Sequence, residues 1–109
     1  MAIKQITAAE CDQLLENTSR LVILDFWNEN CAVCEALAPV LEELSAERAD
    51  IEIYGVHAAK ERDLTKRFVI MTAPSLVFYK DGKVQKKTIG YKSKESLTGI
   101  IDTINGSAE

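Results

Sequence analysis

The 109-residue chain predicts one α/β domain, a central mixed sheet of five strands flanked by four helices. Its first part alternates strand and helix signals, the mark of β-α-β units with parallel pairing. Its last part changes pattern, because two β-rich runs flank Asp81-Gly82, a dipeptide that closes antiparallel hairpins. No repeat, low-complexity tract or long linker interrupts this order, so the domain is expected to span residues 1–109.

Taken in order, Ile3 to Ile6 form a short first strand. Thr7-Ala8-Ala9-Glu10 then has the spacing of a capping box and opens a helix that presents Cys11, Leu14 and Leu15 on one face. That stripe makes Cys11 a small core residue. Leu21 to Trp27 is too continuously apolar for a half-exposed strand and reads as a central parallel strand covered on both faces, interrupted only by Asp25. A helix follows from about Cys31 to Arg48, with Cys34, Leu37, Ala38, Leu41 and Leu44 along one stripe, acids opposite and Pro39 expected to kink it. Ile51 to His57 is the third strand and Ala59 to Phe68 a charged helix. Ser75 to Tyr79 and Val84 to Ile89 make the hairpin, and Ser93 caps a last helix whose Leu97, Ile100, Ile101 and Ile104 share a face.

Chemistry concentrates at Cys31-Ala32-Val33-Cys34, where a strand delivers two thiols to a helix N-terminus. Unsatisfied backbone N–H groups and the positive end of the helix dipole favour a thiolate on the first cysteine. The second lies within reach of it, so the pair can attack a disulfide, form a mixed disulfide and resolve it by closing their own ring. A Cys-x-x-Cys pair is also half a zinc site, but only Cys11 and His57 remain as further candidate ligands, and no second pair of that spacing exists. Redox chemistry is the reading that fits the strand-to-helix context, and neither a metal nor a bound cofactor is implied.

Composition narrows the function classes. A hydrophobic content of 47% with 28% charged residues is an ordinary globular balance, and a net charge of −4 argues against nucleic acid as the main partner. Lysines 80, 83, 86, 87, 92 and 94 cluster about a turn and a strand end, where solvated lysines are the usual finding and a specific anionic partner is the sharper alternative. No apolar run approaches the roughly 18 residues of a membrane span, and no basic and apolar leader pattern is present. Three cysteines, an odd number, suit a reducing compartment, so a cytoplasmic location is expected.

With these elements in place, the chain resembles the thioredoxin family from about residue 2 to residue 105. The resemblance rests on Leu24-Asp25-Phe26-Trp27 leading into Cys31-x-x-Cys34, on Pro39, on Thr72-Ala73-Pro74-Ser75, and on Asp81-Gly82 and Gly90. It implies a thiol–disulfide oxidoreductase, with Cys31 attacking, Cys34 resolving, and Asp25 as a buried acid able to accept the resolving thiol's proton. A structural acid paired with a polar neighbour is the other reading of Asp25. The resemblance further implies a cis bond before Pro74 and client contact at Trp27, Ala32, Val33, Ala73, Pro74 and Gly90, with Tyr91 extending the platform. Implied partners are oxidised client proteins and an upstream electron donor resembling thioredoxin reductase; the protein is expected to act as a monomer. A binding or chaperone module of the same fold, and metal or iron–sulfur binding through Cys31 and Cys34, are the alternatives from other classes.

The sequence departs from the family's usual pattern at Asn30, at Ala32-Val33 and at Glu35, where tryptophan, Gly-Pro and a basic residue are common. Gly55 stands where a lysine often neighbours the buried acid. His57, at a strand end near the site, fits either a proton or charge role or a structural one.

Overall fold

The period of two in the run from Leu21 to Trp27 decides the architecture. In the computed structural model, which describes residues 3–106, the elements are β1 (Lys4–Gln5), α1 (Ala8–Asn17), β2 (Leu21–Trp27), α2 (Ala32–Glu47), β3 (Ile51–His57), α3 (Arg62–Arg67), β4 (Ser75–Lys80), β5 (Lys83–Ile89) and α4 (Lys94–Asn105). They form one five-stranded sheet in the order β1-β3-β2-β4-β5. β2 lies parallel to β3 and antiparallel to β4, and β5 returns antiparallel on β4.

Alternate residues of β2 feed two cores. Leu21 and Ile23 pack with Leu37, Leu41 and Leu44 of α2 and with Leu97 and Ile101 of α4. Val22, Leu24 and Phe26 pack on the other side with Cys11 of α1, Leu64 of α3 and Phe68 at the end of α3. Asp25 and Trp27 continue the first series, so they emerge on the α2 side at the C-terminal end of this central strand. The sequence order alone therefore aims an acid and an indole at the cysteine-bearing helix.

Caps fix the helix starts. Thr7 and Glu10 form the expected reciprocal capping box on α1. Ser93 caps α4 through the N–H of Ser96, and Gly106, at φ 72°, ends it in the left-handed conformation that glycine adopts without strain. The hairpin turn has positive φ at both Asp81 (56°) and Gly82 (79°), as a type I′ turn requires. α2 runs on through Pro39, and its first helical residue is Ala32, with Cys31 as the cap itself.

Two expectations are corrected. The charged helix begins at Arg62 rather than Ala59. The N–H groups of Lys60 and Glu61 both turn back to the carbonyl of His57, at 3.0 and 2.9 Å, while the N–H of Ala59 donates to Asn28 Oδ1 at 3.0 Å. These bonds hold the segment in a turn before the helix can start. The lysines about the hairpin are not uniformly solvated either. Lys87 Nζ donates to the carbonyl of Phe68 at 2.9 Å, at the end of α3, and Lys80 Nζ donates to Asn105 Oδ1 at 2.9 Å. Both tie the hairpin to a helix end, Lys80 through a side-chain amide and Lys87 by complementing main-chain carbonyls after α3.

Candidate active site

β2 ends at Trp27, and the chain must turn sharply to start α2 five residues later. Asn30 makes that turn with φ 54°, a left-handed conformation that asparagine tolerates better than bulkier residues. Cys31 is thereby set at the helix cap. Its sulfur receives the backbone N–H of Cys34 at 3.1 Å, the role a serine or aspartate oxygen commonly plays.

Cys31 and Cys34 are joined as a disulfide, with Cα atoms 5.2 Å apart. The two sulfur-bearing residues differ in access: Cys34 is buried at 8% exposure, whereas Cys31 is only partly covered. Across from them the Ala73–Pro74 bond is cis, and the carbonyl of Ala73 lies 3.9 Å from Cys31 Sγ. In the disulfide that sulfur has no proton to donate, so the approach is a contact rather than a hydrogen bond. Gly90, at φ 82°, donates its N–H to the carbonyl of Pro74 at 2.9 Å and thereby links the end of β5 to the same loop. Ala32 and Val33 are exposed on the first turn of α2, and Tyr91 is exposed beyond Gly90. Met71, at 87% exposure, adds an apolar side chain just before Ala73 for which the sequence carries no signal.

Beside the disulfide lies a cavity of about 210 Å³ lined by Asp25, Trp27, Cys34 and Ala38 together with Asn28, Glu29, Asn30 and Glu35. Asp25 is nearly buried there, and its Oδ1 has no hydrogen-bond partner. Burial raises its carboxyl to about 7, far above the ordinary aspartate range. No salt bridge to Asp25 is found among the described residues, and its neighbour across the β2–β3 pairing is Gly55. The reading of Asp25 as a paired structural acid therefore finds no partner.

Trp27 is held from two sides. Its ring stacks on His57, with centroids 4.5 Å apart and 17° between planes, and its Nε1–H donates to Gln5 Oε1 at 2.7 Å. His57 Nε2 also stands 3.6 Å from Glu29 Oε1. His57 is not among the residues lining the cavity that holds Asp25 and Cys34, so its contacts are with the indole and the rim. Cys11 belongs to the core on the opposite face of the sheet, where burial pushes its thiol up to about 11. It cannot join the other two cysteines. Gln5 and Asn28 are the site-supporting residues that sequence reasoning misses; each acts on a backbone or ring far along the chain and neither belongs to a local motif.

Two sulfurs held one helical turn apart, one at the surface and one beneath it, can pass between dithiol and disulfide with the backbone already in place. On an α/β sheet of this order, that defines a thiol–disulfide oxidoreductase. The comparisons with known proteins agree. The sequence profile of the Thioredoxin family matches residues 2–103. Thioredoxin of Staphylococcus aureus is 34% identical over 103 residues, a match covering 94% of this chain and 97% of that protein, with the same figures in several strains. Among solved structures, chloroplastic thioredoxin z shares the fold at a TM-score of 0.87 and 18% identity, over 97% of this chain and 96% of its own. The chain belongs to the thioredoxin family, and its activity is thiol–disulfide exchange. No helix among the described residues is long and apolar enough to cross a membrane.

Proposed function

We propose that this protein works as a reductase of protein disulfides in the cytoplasm, with Cys31 as the attacking thiol. The observation that carries the reading is the asymmetry of the pair: Cys31 is the partly exposed helix cap that accepts an N–H, while Cys34 is buried behind it. In the reduced protein the Cys31 thiolate attacks one sulfur of a client disulfide, forming the mixed disulfide and expelling the client's other sulfur as a thiolate. Cys34 then loses its proton to Asp25, attacks Cys31 Sγ, and releases the second client thiolate as the Cys31–Cys34 bond closes. Two electrons pass to the client, and Asp25 returns the proton to water through the cavity.

A carboxyl raised to about 7 suits that transfer, because it can both take up and give back a proton near neutral pH. Client segments bind extended against the Ala73 backbone, over a platform of Trp27, Ala32, Val33, Pro74 and Gly90. An upstream reductase of the thioredoxin-reductase kind reopens the disulfide, again through Cys31. The protein acts as a monomer and needs no cofactor of its own. The buried, reduced Cys11 and the bacterial relatives support a cytoplasmic setting. The test is turnover: catalytic amounts of protein should accelerate insulin reduction by dithiothreitol. Binding without acceleration would instead mark a non-catalytic module.

A further inference from the structure

β1 is two residues long, and its Gln5 lies level with Gly55 of β3, which in turn lies level with Asp25 of β2. Partners level with one another in a parallel ladder share a face, so Gln5, Gly55, Asp25, Trp27 and His57 all stand on the α2 side of the sheet. Gly55 is buried, and a Cβ placed on it would collide with the carboxamide of Gln5. The Gln5 side chain therefore fills the space that a side chain at position 55 would take. From that seat its Oε1 accepts the Trp27 indole N–H at 2.7 Å. The other side of the indole is the His57 ring.

We propose that Gln5 is a positioning residue for the active site: its carboxamide, seated over the bare Gly55, fixes the Trp27 indole as the wall beside the Cys31–Cys34 pair. The inference rests on the reading of Trp27 as a client contact. An indole is free to turn about its second side-chain torsion, which has broad minima, and stacking on His57 alone permits a flipped ring. The N–H bond to Gln5 selects one of the two faces-on arrangements. Gly55 and Gln5 are thus a matched pair; an alanine at 55 displaces the carboxamide and frees the indole even with Gln5 intact.

Trp27 is the chain's one tryptophan, so its indole N–H gives a single, unambiguous resonance in a proton–nitrogen correlation spectrum. Gln5→Met keeps the side chain's length and removes the acceptor; Gln5→Glu keeps an acceptor. In Gln5→Met the indole resonance should move and exchange faster with solvent, and KM for insulin should rise ~5-fold with kcat within about twofold. Its urea midpoint should stay at the wild-type value, because the bond lies at the surface. Gln5→Glu should restore both the resonance and KM, and Gly55→Ala should reproduce the Gln5→Met resonance. An unmoved indole resonance in Gln5→Met, an unchanged KM despite its displacement, or a Gln5→Glu that behaves like Gln5→Met would overturn the proposal. Should the wild type reduce no insulin at all, the proposed reductase function fails, while the resonance still decides what Gln5 does.

Discussion

The Cys31 sulfur, while bonded to Cys34, receives the Cys34 backbone N–H at 3.1 Å. That donor belongs to the helix and stays in place when the disulfide opens, so it favours negative charge on Cys31 specifically. Cys34 is buried and out of a reagent's reach, and burial pushes the Cys11 thiol up to about 11. Iodoacetamide applied to the reduced protein at mildly acidic pH should therefore modify Cys31 first and leave Cys11 untouched while the fold holds. Peptide mass mapping reads the order, and early labelling of Cys34 would refute it.

Asp25 should set activity and stability against one another. Its carboxyl is raised by burial from 3.8 to about 7, so the folded state holds a proton that the unfolded state has released between those values. Stability is then lost as pH rises through that window. It is flat above it, with a cost whose upper bound is about 4 kcal/mol. In the disulfide form, Asp25→Asn should be more stable at pH 8 by a sizeable part of that figure and equal to wild type near pH 3. Resolution of mixed disulfides should slow. Denaturant titrations across pH check the sign; a less stable variant at pH 8 would show that the carboxylate has a partner.

Docking of an upstream reductase should be limited by charge. Glu35 is exposed on the first turn of α2, and Glu29 lies on the same rim, 71% exposed in its side chain. Dithiothreitol, which needs no docking surface, should reduce the protein readily, whereas a standard NADPH-dependent thioredoxin reductase, matched to the basic residue common in the family where Glu35 stands here, should serve it poorly. Glu35→Lys should raise kcat/KM with that reductase ~5-fold, and added salt should shrink the gain. Restoring an aromatic at Asn30 is the weaker test, because φ 54° there strains a bulky residue. Efficient reduction of the wild type with no gain in Glu35→Lys would contradict the idea.

Val69 offers a stability prediction away from the chemistry. It follows α3 at φ 55°, where a β-branched residue is strained, and Ile70 N–H closes back on the Thr65 carbonyl at 2.8 Å in the manner of a helix stop. The residue is 62% exposed, so little packing is lost on replacement. Val69→Asn should raise the unfolding free energy by about 1 kcal/mol, read from the urea midpoint at unchanged slope.

What the sequence makes legible is what short-range physics decides. The apolar run of β2, the capping box at Thr7, the Asp81-Gly82 turn and the cysteines at a helix start each carry their cause within a few residues. The interactions that escape are the long-range ones. Glu61 gives α3 no side-chain cap because its carboxylate accepts the N–H of Ala8, 53 positions away, at the start of α1. The Asn28 amide that delays α3, the Lys87 ammonium on its last carbonyls and the Gln5 carboxamide on Trp27 likewise depend on neighbours that only the folded sheet brings together. The gap at Gly55 is visible as a missing side chain, but what fills it is not.

The assignment of Cys31 as the attacking thiol is tested most directly by trapping. Reduced Cys34→Ser and Cys31→Ser variants are each mixed with excess insulin, quenched in acid, and analysed by intact mass and peptide mapping. Cys34→Ser should accumulate a long-lived adduct of insulin bonded through Cys31, because the nucleophile remains and the resolver is gone. Cys31→Ser should show no adduct and no catalysis of dithiothreitol-driven reduction. An adduct through Cys34 in Cys31→Ser, or wild-type turnover by that variant, would contradict the account.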